Sequence, residues 1–412
     1  MMVDAADELV ETLFRREAGK LSAWLVRLLG AARLELVEDA IQDAFGVALA
    51  RWPSDGVPDR PAAWLAVAAR NKALDRLKRE ARSMPLDESA AWRLGFAGPE
   101  SLGRLDDTLA LMFVACHPAL ERDEQTMLTL KTVCGFGVKE IARAYLSTPD
   151  AVAQRLVRAK RKIRDLNLAF EIPEGAEMTR RLPALLDTIY LLFTGGYTAG
   201  EGEPLIAPEL CAEALRLALL LAEHPRAGTG AAQALAALLC FQHARAGARV
   251  SGEGELILLA DQDRTRWDGA LIARGLDHLQ KAMTADALTA MHVEAGIASL
   301  HATAASFEAT DWRAVAHYYA MLEELKPSAV VQLNGAIATA FAEGPAAGLA
   351  RLDRLDGARK LERYALYHAA RGDLLSRLGR CSEARDAFGR ALDCPVNNAE
   401  REFLARRLQA CR

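Results

Sequence analysis

The stretch from residue 148 to residue 163 constrains the fold of this chain more than any other. Its apolar side chains recur every three or four residues, at Val152, Leu156, Ala159 and Ile163. This spacing lines one face of an α-helix. Thr148 suits the N-cap of that helix, and Pro149 suits its first turn. Because residues 137–145 predict a shorter helix just upstream, the pattern predicts two helices joined by a tight turn.

The outer face of the second helix is strongly basic. Between Lys131 and Arg164 the chain has nine Lys and Arg residues and two acidic residues. The side chains that lie off the apolar face are Gln154, Arg155, Arg158, Arg161 and Lys162. Arg and Gln carry the paired polar groups that recognise guanine and adenine edges, and Lys160 is suited to phosphate contacts. The pattern predicts a DNA-binding helix-turn-helix; the alternative is a basic face that is only solvated.

The composition favours an all-α fold. Hydrophobic residues make up 51% of the 412 positions but aromatic residues only 6%, and a chain dominated by Ala and Leu favours helices over strands. A chain of this length predicts two or three domains. The formal net charge is −4, so contact with nucleic acid depends on local basic patches.

Several classes of protein are disfavoured. The seven cysteines are scattered without a Cys-x-x-Cys pair, which predicts buried thiols in a reducing compartment. The acidic first eleven residues do not resemble a signal peptide, and the apolar run at 214–222 is too short to span a bilayer. We therefore expect a soluble, cytoplasmic protein that does not contact membranes.

Catalysis and bound metal are not expected. Cys116, His117 and Cys134 do not complete a tetrahedral ligand set. The polar residues within 261–268 lack an accompanying nucleophile or base, so a network that locks two helices is the favoured interpretation. We expect no metal, no cofactor and no enzymatic activity.

Two helices with opposite charge are predicted within residues 1–82. The first covers residues 36–52, and its acidic and amide side chains are Asp39, Gln42 and Asp43. Such a face is suited to docking on a basic protein surface; the alternative is a face that is only solvated. The second begins near Pro61 and is basic; its candidate DNA contacts are Arg70, Asn71, Arg76 and Arg79. Trp64 on this helix is either a core residue or a contact for an unstacked base.

The chain divides into four predicted segments. Residues 1–82 form a helical unit, residues 83–104 form a linker with two prolines and three glycines, and residues 105–169 contain the helix-turn-helix. Residues 170–412 are predicted to form successive helices. Within them, the spacing from Leu378 to Pro395 resembles half of a tetratricopeptide (TPR) unit. This predicts a solenoid of helical hairpins, and the alternative is an irregular helical bundle.

The order of these segments resembles a known family. Residues 36–45, Trp52 and residues 61–79 resemble region 2 of bacterial sigma factors, and residues 105–165 resemble region 4. A short linker joins them, as in the extracytoplasmic-function (ECF) sigma factors. The motifs at 116–120 and 262–268 resemble the ECF subgroup that carries a long C-terminal TPR-like extension.

The resemblance implies a role for each candidate surface. Its partners are core RNA polymerase, through the β′ clamp helices and the β flap, and promoter DNA. The acidic face at residues 39–43 would bind the clamp helices. The Trp64 helix and the loop at 56–61 would recognise and melt the −10 element, capturing a flipped base, and the helix-turn-helix would read the −35 element. The extension is expected to be regulatory, either by packing on the DNA-binding units or by binding a regulatory protein.

Two other functions fit parts of this pattern. A TPR scaffold could bind proteins and use the first segments as an adaptor. A repressor or activator could use the helix-turn-helix without polymerase.

Overall fold

The computed structural model describes residues 2–80, 93–94, 98–145, 147–197, 208–249, 257–284, 287–355, 361–396 and 398–411. Within these ranges the chain forms eighteen α-helices and four short 3₁₀ helices and no strand, which confirms the all-α prediction. No helix among the described residues is long and apolar enough to cross a bilayer. Most of the predicted linker at 83–104 lies outside the described residues.

The chain forms two compact units, 1–191 and 192–412. The division falls inside the eighth helix, and the finer four-segment division stays a prediction. The helices of the first unit are α1 (Met2–Leu29), α2 (Leu34–Asp55), α3 (Pro61–Glu80), α4 (Leu105–Ala115), α5 (Arg122–Thr132), α6 (Val138–Ala144), α7 (Pro149–Asp165) and most of α8 (Gly175–Tyr197).

Helices α1, α2 and α3 pack against one another around an apolar core. Its fully buried side chains include Trp24, Val37 and Leu65. The predicted break at Pro53 is wrong by three residues, because α2 continues to Asp55. A proline in the last turn removes only one hydrogen bond. The helix ends where Gly56 adopts a φ of 83° and its N–H bonds to the carbonyl of Trp52 at 3.1 Å.

Helices α4 and α5 pack on α1, and α6 and α7 pack on α5. A methyl group on Gly19 of α1 would lie 1.9 Å from the carbonyl oxygen of Val133, at the end of α5, so only glycine permits this approach. Nearby, the Trp24 indole donates to the Ser101 hydroxyl at 2.9 Å, and Arg27 Nε donates to Asp107 at 2.9 Å. Burial outweighs the Arg27 guanidinium and raises the pKa of Asp107. The two predicted helical units of this portion of the chain are therefore in tight contact.

The second unit consists of successive helices. They are α9 (Pro208–Glu223), α10 (Gly230–Ala244), α11 (Gly269–Ala282), α12 (Ala290–Thr303), α13 (Trp312–Leu325), α14 (Ala329–Ala342), α15 (Pro345–Leu352), α16 (Ala365–Arg377), α17 (Cys381–Leu392) and α18 (Asn398–Ala410). The hairpin of α16 and α17 turns at Gly379, whose φ is 74°. Phe388 is buried, and its ring lies against Gly372, where a methyl group would approach it to 2.9 Å. This is the close helix packing that the TPR-like spacing predicts, although the repeat assignment itself stays a prediction.

Candidate nucleic-acid interface

Helix α7 has the apolar stripe and the cap that its sequence predicts. Val152, Leu156, Ala159 and Ile163 are each at most 4% exposed. The Thr148 hydroxyl accepts from the Ala151 N–H at 3.3 Å, and Pro149 follows as the first helical residue. The opposite face is open to solvent, because Gln154, Arg158 and Arg161 are exposed.

Two basic side chains of α7 form ion pairs with α5. Arg155 contacts the Asp123 carboxylate at 3.4 Å, and Lys162 contacts Glu124 at 2.7 Å. Burial would raise the pKa of Glu124, but the hydrogen bonds from Lys162 and from its own capping box hold that pKa below its usual value. The contact with the buried Glu124 holds α7 on α5, whereas the Arg155–Asp123 pair is exposed and contributes little.

A third basic side chain joins α7 to α2. Lys160 Nζ lies 2.9 Å from Glu38 Oε2, and the two side chains are 13% and 11% exposed. The other oxygen of Glu38 is buried and has no hydrogen-bond partner among the described residues. A second, longer contact joins Arg164 to Glu35 at 3.9 Å. Lys160, which the sequence assigns to DNA phosphate, is therefore the partner of a carboxylate on the other predicted unit.

The predicted polymerase face and the predicted −10 face also meet. Arg76 of α3 donates to Asp39 and to Asp43 of α2, each at 2.9 Å. Gln42, between the two carboxylates in sequence, is exposed. The structure thus brings three predicted site residues into one ion-pair cluster, whereas the sequence treats them as two separate surfaces.

The remaining predicted residues lie along α3. Asn71 and Arg79 are exposed, and Arg70 is half-buried and donates to the Asn71 side chain at 3.3 Å. Trp64 is half-buried, and its ring meets the edge of Trp52 at a centroid distance of 5.4 Å. Trp64 therefore packs on the core with some of its surface and reaches solvent with the rest, and its contact with an unstacked base stays a prediction.

Sequence reasoning missed the acidic partners of the basic helices. Glu38 immediately precedes the predicted acidic face and Glu35 lies one turn before it, and no periodicity distinguishes either residue from solvated ones. Asp123 likewise lies far from its partner in sequence. The capping role of Glu124 could have been predicted from the sequence, because Glu124 stands three residues after Glu121, the spacing of a capping box.

Cys116 and the polar cluster at 261–268 form contacts that stabilise the fold. The Cys116 thiol lies 3.4 Å from the Thr129 hydroxyl, and burial raises its pKa to about 11. No cluster of potential metal ligands occurs in the described residues of the chain. Asp268 caps α11, and Arg264 donates to the carbonyls of His301 and Ala304 at 2.7 and 2.8 Å. These contacts tie the segment to the end of α12, as the sequence predicts for a helix-locking network.

Comparison with known proteins assigns the two helical segments of the first unit. Residues 13–83 match the family described as Sigma-70 region 2, and residues 110–163 match Sigma-70, region 4. The chain belongs to the sigma-70 family. This sigma factor directs RNA polymerase to promoters, and its partners are core polymerase and promoter DNA.

The extension of the sigma factor matches a family model and is shared by one relative. Residues 181–283 match a family of unknown function (DUF6596). The chain is also 40% identical over 387 residues to an uncharacterized protein, R00370, from Rhizobium meliloti (strain 1021), and the match covers 91% of this chain and 90% of that one. A match of this length includes most of the second unit, so the extension accompanies the sigma regions in that relative.

Proposed function

We propose that the chain is a sigma factor of the ECF type in which α7 reads the −35 element through its outer face. The observation that carries this proposal is the exposure of Gln154, Arg158 and Arg161 beside a fully buried stripe. Side chains on one exposed helix face can enter the major groove together. Lys160, Lys162 and Arg155 are paired with carboxylates in the free chain, so each would contact a flanking phosphate only after exchanging that partner.

The −10 element is assigned to α3 and to the loop at 56–61. Arg79 and Asn71 are exposed on α3, and Arg70 and Arg76 continue its basic surface. Basic groups follow the phosphates of a separated strand, and a half-exposed ring such as Trp64 can stack on an unpaired base. The role of this helix is to hold the melted strand, while the role of α7 is to fix the duplex upstream.

The polymerase contact is assigned to Asp39, Gln42 and Asp43, opposite the β′ clamp helices. Asp39 and Asp43 share Arg76 in the free chain. Polymerase therefore competes with an intramolecular guanidinium for these carboxylates. Because Arg76 is also a candidate DNA contact, its release by polymerase couples the binding of the enzyme to the exposure of a promoter contact.

The polymerase contact is tested by changing charge along α2. Asp39→Arg reverses the charge of the proposed docking face, so we expect weaker binding of the full chain to core polymerase in a fluorescence-anisotropy titration. Asp55→Arg makes the same change in charge at the exposed end of the same helix and serves as the control. Equal binding by both variants would contradict the assignment.

The second unit is proposed to be a regulatory module, which acts through a regulatory protein or through the sigma regions. Its presence in the Rhizobium meliloti relative supports a role linked to the sigma activity. The test compares promoter output in cells for the full chain and for a chain that ends at residue 197, after α8. This end point keeps Arg181, whose guanidinium lies over the Phe113 ring at 5.7 Å. Unchanged output and unchanged response to inducing conditions would contradict a regulatory role.

A further inference from the structure

The second unit contains a cavity of about 640 Å³. Residues of α12, α13, α14, α16, α17 and α18 line it, together with the segment at 258–261. Protein sites for small molecules have volumes of about 300–1,000 Å³ and mainly apolar walls with a few polar groups. The size and the lining of this cavity meet that description, and none of its residues belongs to the proposed DNA or polymerase surfaces.

One wall of the cavity is aromatic. The rings of Trp312 and Phe341 stack at a centroid distance of 4.4 Å with an angle of 27° between their planes. Phe307 meets both rings edge-on, at 5.0 and 5.1 Å. Three aromatic rings that hold one another in place give a rigid aromatic wall, and such a wall favours a planar ring in the ligand.

Another wall carries an excess of positive charge. Arg407 forms an ion pair with Asp373, and Arg377 lies 3.9 Å from the same carboxylate. Asp261 also lines the cavity but forms no ion pair with either guanidinium within the described ranges. Two guanidiniums therefore share one carboxylate on this wall, which leaves a local positive charge there, while Asp261 lies on the separate segment at 258–261.

The excess charge lies beside the aromatic wall. The guanidinium of Arg377 is 4.9 Å from the centre of the Phe341 ring, so a cation and a flat apolar surface adjoin within one cavity. A guanidinium presents paired donors that match a carboxylate, sulfonate or phosphate. We propose that the cavity binds a small organic anion with a planar ring, whose ring packs on Trp312 and Phe341 and whose anionic group contacts Arg377.

The proposal is tested with two fluorescent probes of similar shape. The anion 1-anilinonaphthalene-8-sulfonate and the uncharged N-phenyl-1-naphthylamine share the same ring system and differ by the sulfonate. We expect the full chain to bind one molecule of either probe. Arg377→Gln should weaken binding of the anionic probe by ~10-fold, because it removes a charge-assisted contact, and should leave the affinity for the neutral probe unchanged.

Three further variants separate binding from folding. Arg371→Gln removes an Arg from the same helix that pairs with Asp353 and does not line the cavity, so both affinities should stay at the wild-type value. Arg377→Lys keeps the charge and should restore some of the affinity for the anion. Phe341→Leu should weaken the binding of both probes. The proposal would be overturned if Arg377→Gln reduced the affinity for both probes equally, or if Arg371→Gln reduced the affinity for the anion as much as Arg377→Gln does. It would also be overturned if the probes did not bind at a single saturable site.

Binding in this titration is measured without polymerase or promoter. A negative result would therefore remove the ligand site and leave the sigma activity untouched. A peptide that displaced the probes from the cavity, with no small anion able to do so, would contradict the proposal in favour of a protein partner.

Discussion

The predicted DNA contacts of α7 divide into two groups that the sequence does not distinguish. Gln154, Arg158 and Arg161 face solvent, whereas Arg155, Lys160 and Lys162 are paired with carboxylates. An exposed guanidinium can form two hydrogen bonds with one guanine. A paired amine must first exchange its partner, so its contribution to DNA binding is smaller than that of an exposed side chain.

At the residue scale, Arg158→Ala is expected to relax specificity at one position of the −35 element. Loss of a bidentate base contact costs about 1–3 kcal/mol at that position. The measurement is the binding of the polymerase holoenzyme to promoters with single base changes. Equal weakening on every sequence would instead make Arg158 a phosphate contact.

Lys160→Met is expected to destabilise the contact between α7 and α2. It leaves Glu38 buried with no partner, and neighbours in one ion pair couple by about 0.5–3 kcal/mol. The double variant Lys160→Met with Glu38→Gln should recover some of the loss, as measured by amide hydrogen exchange of both helices. Arg155→Met is the control, because its partner Asp123 is 63% exposed and exposed pairs contribute little. Similar losses in Lys160→Met and Arg155→Met would refute the coupling.

At the scale of elements, the sequence predicts helices far better than contacts between them. The period of Val152, Leu156 and Ile163 predicts which face of α7 is buried, because residues spaced three or four apart lie on the same side of a helix. The pairing of Lys160 with Glu38 joins residues 122 positions apart, and no local pattern records it. The cluster of Arg76 with Asp39 and Asp43 was missed for the same reason. Surfaces that are separate in the sequence therefore pair with each other in the fold.

Gly19→Ala is expected to separate α4–α7 from α1–α3. The added methyl group would lie 1.9 Å from the Val133 carbonyl oxygen, and a backbone atom cannot move aside without moving α5. The radius of gyration from small-angle X-ray scattering should rise. Gly46→Ala is the matched control, because nothing lies within 4 Å of a methyl group there. An unchanged radius for Gly19→Ala would show that this close approach does not hold the helices together.

At the scale of the whole molecule, the second unit holds several histidines in the neutral state. Burial lowers the pKa of His243, His278 and His292, and it lowers the pKa of His301 to about 4. Between pH 6.5 and 4 these four histidines therefore bind more protons in the unfolded chain than in the folded one. The free energy of unfolding must fall as the pH falls through this range.

Acid is accordingly expected to destabilise residues 192–412, and His301→Gln is expected to reduce this effect. A shift of His301 from 6.5 to about 4 corresponds to at most about 3 kcal/mol, lost progressively below pH 6.5. The measurement is hydrogen exchange of α12 at pH 7 and pH 5. His317→Gln changes an exposed histidine of the same unit and should retain the full pH dependence. An equal pH dependence in His301→Gln and in the wild-type chain would contradict this assignment.

The central claim is that one chain reads two promoter elements through α7 and α3 when polymerase holds them. The most direct measurement is sequencing of transcript starts from a library with randomised upstream DNA, using core polymerase and the full chain. We expect two separated sequence elements at a fixed spacing, with Arg158→Ala relaxing one position of the upstream element only. Transcript starts that lack a shared upstream element would contradict the account. So would a change in sequence preference that Arg158→Ala confines to the −10 region.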